Sequence, residues 1–431
     1  MRKIIALSTV CILLFAVMSC DKEPNNFPIV SLDKTFGQDG RIIIPNTTEI
    51  IFFDFDRYGN IIAVGYTLVG GGRLHLTIAK INADGVLDES FGYNGLVKIA
   101  DYDSSFPLGM KITRDNKIVI IGSFTEVQFH GNEAKIMRFN ENGTVDKTFG
   151  NNGRVNLGFN TGHVISWCFG NDDYMLIAKP KSERIEIIVN GVAHYTFPGY
   201  SISKYNYLGE LNKSFGENGT VFLTKYKYPV TPVRMRILNS GSIIIAGTYH
   251  TYHTYPDEEL GVMKLLPNGE IDKSFANNGI WRRNILRERN RFSWGDFRGF
   301  FNILEKNNGS FLLAGAGVIG GNEFFLSKFT SNGELDTSFG NNGFFGFEGS
   351  FFRPFFQFGN HYVTVGRWRH QRGIILINNR GTSARIVYPT EFLFNDMKPH
   401  GNNKIVLGGR YEINNTSNFA LKRIVFENTA F

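Results

Sequence analysis

The string GAGVIG (315–320) has the glycine spacing of a dinucleotide-binding turn, and Asp336 stands 21 residues beyond Gly315, where such a turn wants a carboxylate for the ribose. Pyrophosphate on that turn needs the N-terminus of a helix. The residues that follow, NEFFLSKF, read as a strand, so the string is expected to be a loop between two strands. A second candidate is TYHTYHTYPDEE (248–259), where Tyr249, Tyr252 and Tyr255 recur every three residues with His250 and His253 between them. Rings with polar rims suit carbohydrate or protein surfaces. Two histidines without further nearby ligands make no metal centre. Trp294, from WRRNILRERNRFSW (281–294), and Trp368, Arg369 and His370, from GRWRHQR (366–372), complete the candidate ligand-binding set. A third string, NADGVLDESFG (82–92), offers many oxygen ligands, as a calcium loop would. Asn212 replaces its acid in a later copy, and its carboxylate density is below that of an EF-hand, so it reads as a structural turn. There is no G-x-S-x-G, no H-E-x-x-H and no P-loop lysine. No metal, cofactor or catalytic residue is therefore expected, and an acid–base pair would have to be assembled from distant segments.

The first residues are an address. Arg2 and Lys3 precede an apolar run from Ile4 to Met18, short for a membrane span and shaped like a secretory signal. The run ends in VMSC, which looks like a bacterial lipoprotein cleavage box. The expected organisation is a signal peptide over 1–19, a lipid-anchored tether over 20–29 that opens on acylated Cys20, and one domain over 30–431. Acyl chains there would hold a monomer on a bacterial envelope membrane, the outer one. Cys11 leaves with the signal, and Cys168, alone in the apolar stretch HVISWCF, is expected to be inert packing. With Arg2 and Lys3 gone from the 46 basic residues, 44 remain against 39 acidic ones, too small an excess to imply nucleic acid.

Self-similarity dictates what must position the candidate residues. SLDKTFGQDGRIII (31–44) returns as VLDESFGYNGLVKI, TVDKTFGNNGRVNL, ELNKSFGENGTVFL, EIDKSFANNGIWRR and ELDTSFGNNGFFGF. Its phenylalanines are Phe36, Phe91, Phe149, Phe215, Phe275 and Phe339, spaced by 55, 58, 66, 60 and 64 residues. A second phrase, a buried strand ending in small residues, occurs seven times: IIAVG (61–65), IVIIG (118–122), MLIA (175–178), IIIAG (243–247), FLLAG (311–315), YVTVG (362–366) and IVLGG (405–409). Each unit reads as strand A, tight turn, strand B, variable loop, strand C, motif loop, strand D. Seven such units predict an all-β, seven-bladed β-propeller with four antiparallel strands per blade. Six motifs accompany seven B strands because residues 41–44 are expected to supply strand D of the last blade, beside FALKRIVF, and so close the ring.

The phrase LDxSFGxNG at this period resembles the delta-60 repeat, whose family is understood as a bacterial β-propeller of undetermined function; the resemblance implies a fold and no chemistry. Within the motif, Asp88 and Ser90 are expected to cap a turn, Phe91 to plug between blades, and the final glycine to take a positive φ. At the earlier glycine, Ala276 implies a position that tolerates a Cβ.

Antiparallel alternation puts the A–B turns and motif loops on one face, and the B–C loops and D–A crossovers on the other. The irregular material falls on the second face: 248–259, 281–294, 366–372 and the insertion 178–199. The A strands supply Lys111, Arg234, Arg236, Arg298 and Arg353 against Asp54, Asp56 and Asp396, for which inter-blade ion pairing is expected. The functional expectation is a non-catalytic envelope lipoprotein that binds a glycan or protein ligand through its loop-rich face. The alternative is an envelope hydrolase or lyase acting on glycans with carboxylates at the channel mouth.

Overall fold

Short β-branched and aromatic runs between Gly-, Asn- and Asp-rich turns leave no helical period to follow, and the computed structural model is a ring of seven antiparallel blades. It describes residues 27–427 apart from 126–131, 161–165, 181–184, 190–191, 197–198, 224–229, 251–257, 284–301, 318–322, 369–370, 391 and 414–415. Among the described residues helical turns are confined to the 3-10 turn Gly70–Gly72 and to Leu223, at the end of blade three.

The chain starts with β1 (Ile29–Leu32) and β2 (Arg41–Ile44), then builds blade one from β3 (Glu49–Phe55), β4 (Ile61–Val69), β5 (Arg73–Ile81) and β6 (Leu96–Lys98). Blade two is β7 (Ser104–Ile112), β8 (Ile118–Thr125), β9 (Asn132–Phe139) and β10 (Arg154–Asn160). Blade three is β11 (Ser166–Phe169), β12 (Met175–Pro180), β15 (Tyr200–Tyr205) and β16 (Thr220–Phe222), with the hairpin β13 (Ile185–Val189) and β14 (Val192–Thr196) inserted. Blade four is β17 (Val230–Ile237), β18 (Ile243–His250), β19 (Glu258–Leu265) and β20 (Ile280–Arg283). Blade five is β21 (Asn302–Glu305), β22 (Phe311–Gly317), β23 (Glu323–Phe329) and the start of β24 (Phe344–Phe358). Blade six takes the end of β24, then β25 (His361–Trp368), β26 (Gln371–Asn378) and β27 (Ala384–Pro389). One strand thus serves two blades where the repeat implies a crossover. Blade seven is β28 (Leu393–His400), β29 (Lys404–Ile413) and β30 (Thr416–Glu427), completed by the N-terminal strands.

The closure has the expected register, Arg41 opposite Lys422 through Ile44 opposite Phe419. It is longer than the sequence implies, because β1 also pairs with β30, from Ile29 opposite Glu427 to Leu32 opposite Ile424. Inner strands of successive blades lie side by side, β28 against β3, β3 against β7 and β11 against β17.

The glycine ending the B phrase has a steric cause. In four blades strand A bulges opposite it, between Ile50 and Phe52, Pro107 and Gly109, Pro232 and Arg234, and Phe394 and Asp396; in blade six the bulge between Phe352 and Phe355 falls opposite Val365 and Thr364. A Cβ on Gly65 would lie 1.9 Å from the Glu49 carbonyl oxygen, and one on Gly409 2.0 Å from that of Leu393. At these two positions only glycine lets the bulged strand approach so closely.

The motif is the joint between blades. Its acid (Asp33, Asp88, Asp146, Asn212, Asp272 or Asp336) accepts, on Oδ1, the N–H two residues on at 3.1–3.2 Å and the hydroxyl of that residue at 2.5–2.7 Å. In five copies Oδ2 pairs with a base on strand C at 2.8–3.6 Å: Lys80, Arg138, Lys264, Lys328 and Arg423. The next residues reach the neighbouring blade: the N–H groups of Gly37, Gly92, Gly150, Gly216, Ala276 and Gly340 donate to carbonyls of Asp84, Asn142, Leu208, Asn268, Asn332 and Arg380 at 2.7–3.2 Å. The phenylalanine lies fully inside the wedge between the two blades, as Phe91 does among Ile62, Val64, Ile118 and Phe139. Asn94 and Gly95 both have positive φ, 49° and 82°, so the N-G pair is the left-handed turn that starts strand D. Blade six has no motif, and there Phe27, Val30 and Leu32 pack into the junction with blade seven instead.

Ala276 corrects a sequence inference. Its position does not simply tolerate a Cβ, because φ is 47°, left-handed like the glycines it replaces. At the equivalent Gly216 a Cβ would lie 2.4 Å from the Thr220 carbonyl oxygen. Ala276→Gly is expected to stabilise the protein by about 1 kcal/mol in urea titration; an unchanged midpoint would show the strain to be relieved locally.

Candidate functional site

The two ends of the ring are chemically unlike. At the motif end, turns of neighbouring blades satisfy one another: Asn116 Oδ1 accepts the Arg57 N–H at 3.1 Å, Asp173 Oδ2 accepts that of Arg114 at 3.1 Å, and the Tyr207 hydroxyl donates to Asp115. Burial pushes the Asp146 carboxyl up, but the Thr148 hydroxyl and N–H, with the Arg138 and Lys117 charges, overcome this and hold it at about 2. Asp88, Asp272 and Asp336 are also held below the usual carboxylate range, first by the hydroxyls of Ser90 and Ser274 and by the Lys328 ammonium respectively. Depressed carboxylates stabilise the fold fully above their unfolded pKa, and the contribution is lost as pH falls through the folded values. Acid unfolding is therefore expected between about pH 4 and 2. Near-UV circular dichroism against pH checks this, with Asp146→Asn flattening the slope.

Along the inner strands, ion pairs join neighbouring blades, but with other partners than expected: Lys111 and Asp54 each pair with a residue outside the expected set. Lys398 meets Asp54 at 2.9 Å across blades seven and one, and Lys111 meets Asp173 at 3.3 Å across blades two and three. Asp396 is buried and pushed up to about 6 by desolvation; its oxygens accept the N–H groups of Phe53 and Met397 at 3.0 and 2.9 Å. These groups hold blades together. Arg298 lies outside the described residues. Burial pushes the Cys168 thiol up to about 12, which keeps it from reacting as a thiolate at neutral pH.

At the loop-rich end, the B–C connections differ from blade to blade, from the turn at Gly70–Gly72 to the inserted hairpin of blade three. The strand ends carrying Tyr249 and His250 lie there, with Tyr249 opposite Glu259 and His250 opposite Glu258, as does Trp368, opposite Gln371. Tyr252, His253, Tyr255, Trp294, Arg369, His370 and Cys20 lie outside the described residues. Of GAGVIG, Gly315 to Gly317 end strand β22, and the next described element is strand β23 from Glu323, where a dinucleotide turn would need a helix.

One cluster at this end was not foreseen. The Tyr66 hydroxyl donates to Glu49 Oε2 at 2.6 Å, and Asn395 Nδ2 donates to Glu49 Oε1 at 2.8 Å and to the Ile50 carbonyl at 2.7 Å. Arg410 Nη1 lies 3.5 Å from Glu49 Oε2, and Phe106 leans on the Tyr66 ring at 5.5 Å. The bulges opposite Gly65 and Gly409 bring these groups together from blades seven and one. Burial, then the Glu49 hydrogen bond, pushes the Tyr66 phenol well above its usual range, so it stays a donor. With its oxygens taken, Glu49 is an anchored anion, and the cluster is a fixed polar surface suited to recognition. Glu49 and Asn395 stand 346 positions apart, a separation that spacing within one repeat cannot reveal.

The repeat is also what links this chain to known proteins. A family model described as "Domain of unknown function (DUF5122) beta-propeller" matches residues 59–91, 113–149, 238–275 and 306–339. No curated protein is similar enough to count as a relative. Similar solved structures include a protein of unknown function from Dyadobacter fermentans, 11% identical over 93% of this chain and 100% of that one, with a TM-score of 0.43. An acylaminoacyl peptidase of Pyrococcus horikoshii is 9% identical over 89% of this chain and 53% of its own, with a TM-score of 0.46. A PL25 ulvan lyase is 10% identical over 77% and 79%, with a TM-score of 0.45. The chain spans about half the length of the peptidase. The matched repeats place it beside a β-propeller family of unknown function.

Proposed function

We propose that the protein is a bacterial envelope lipoprotein, anchored through Cys20 and built on delta-60-type repeats, that acts without catalysis as a binding module. Its ligand is a glycan or an envelope protein, taken up on the loop-rich face. The carrying observation is the contrast between the two ends of the ring. One is uniform, with its polar groups spent on joining blades, whereas the other gathers the length variation and the Glu49, Tyr66, Asn395 and Arg410 cluster.

A glycan array read with the wild-type protein, Tyr252→Ala and Tyr255→Ala tests this. Aromatic contacts on sugars or proteins weigh about 1–3 kcal/mol each, so a loss of roughly fivefold or more in affinity is expected in both variants. Unchanged binding in both removes the tyrosine loop from the site. Turnover of a polysaccharide, abolished by a single Asp or Glu substitution, replaces the binding reading with the enzymatic one.

A further inference from the structure

The path of the chain connects the anchor to the ligand face. Strand β30 runs from the loop-rich end to the motif end, since its last residues meet the A–B turn of blade seven, where the Phe426 N–H donates to the Asn403 carbonyl at 2.8 Å. β1 is antiparallel to β30 and starts opposite Glu427. The chain therefore enters the ring at the motif end. Phe27 marks the spot: its ring lies 5.3 Å from that of His361, the first residue of β25 and the neighbour of the A–B turn of blade six.

Resting on the lipoprotein reading, we infer that the motif face of the ring is turned toward the membrane and the loop-rich face is held away from it. The magnitudes decide this. The seven residues from Cys20 to Asn26 reach at most about 25 Å when fully extended. To bring the loop-rich face to the bilayer, the tether would first have to run back past the full height of a blade. An eight-residue strand such as β29's partner segment is about 27 Å long, so the tether is used up before it arrives. The geometry keeps the Glu49–Arg410 cluster and the tyrosine loop open to partners beyond the membrane surface, whether glycan or protein.

The test uses residues 20–431 with Cys168→Ala, coupled to a maleimide lipid through Cys20 and bound to vesicles whose headgroups carry nitroxide quencher. For the dye, Cys20 is coupled first and a bio-orthogonal residue is then labelled at one of four exposed positions. Lys34 and Glu412 are compared on blade seven, Glu89 and Leu68 on blade one; the first of each pair is at the motif end and the second at the loop-rich end. The expected result is loss of most fluorescence at 34 and 89 and none at 412 and 68. Equal quenching within both pairs, or the reverse order, overturns the orientation. Mass spectrometry of the native protein judges the anchor by itself. An unacylated Cys20 overturns the anchor and with it the orientation in the cell, whereas an acylated Cys20 with equal quenching overturns the orientation alone.

Discussion

A chain beginning at Thr47, without the N-terminal strands, is expected to lose its cooperative fold. Those strands complete blade seven, and they bring Phe36 and Ile44, 0% and 2% exposed, into the wedge between blades seven and one. They also bring Asp33, whose carboxylate takes the Arg423 Nε at 2.8 Å and the Lys404 ammonium at 2.8 Å. Removing one partner of a buried ion pair costs about 3–5 kcal/mol, and losing a buried Phe and Ile costs several more. The total matches the whole stability of an ordinary domain, about 5–15 kcal/mol. Urea unfolding followed by near-UV circular dichroism reads this out, and a native-like sigmoid from the shortened chain would refute the closure. A permutant separates closure from mere loss of residues. Glu427 and Ile29 face each other where other blades have a C–D turn. Residues 28–46 placed after Glu427 through a short glycine-containing turn are therefore expected to restore the transition.

Phe91→Ala should be the most damaging single side-chain truncation in the motif series, at about 3–5 kcal/mol. The ring is 1% exposed and its wedge is shared by two blades, so neither can close the cavity without moving the other. Next to it, Gly143 has a φ of 87°, and a Cβ there would lie 2.6 Å from Val97 Cγ2 and 3.0 Å from the Phe91 ring. Gly143→Ala is thus destabilising by itself, yet in the Phe91→Ala background its methyl group enters vacated space. Equilibrium unfolding of the four proteins should show a double-variant loss smaller than the sum of the single ones. Strict additivity would mean that the glycine answers to backbone conformation only.

The sequence made the ring legible because the same two phrases recur along it, and a motif copy standing before the first B strand, with none after the last, identified the closure. It also carried a further signal: a Lys or Arg stands eight residues before four of the motif acids, Lys80 before Asp88, Arg138 before Asp146, Lys264 before Asp272 and Lys328 before Asp336, while Asp33 takes its base from the far end of the chain, Arg423. Only the hairpin register reveals why, since the motif acid N–H donates to the carbonyl of that same basic residue. Where Asn212 replaces the acid, Lys204 lies over the rings of Tyr174 and Phe215 instead, at 4.1 and 5.8 Å. The full length of β1 was hidden because Ile29 and Val30 precede the repeated phrase; their pairing comes from the last strand of the chain. The Tyr66 and Arg410 cluster was hidden for a related reason, being assembled by ring closure from the first and last blades.

The way the chain enters blade seven also governs how the ring meets mechanical load. A force applied upstream of Phe27 and opposed at the loop-rich face runs along the axis of β1, which lies antiparallel to its neighbour β30. Such a pull loads the hydrogen bonds of the pair together, in shear, and cannot peel them one after another as a pull from the side would. The clasp of the ring is thus oriented to resist tugging on the very end that closes it.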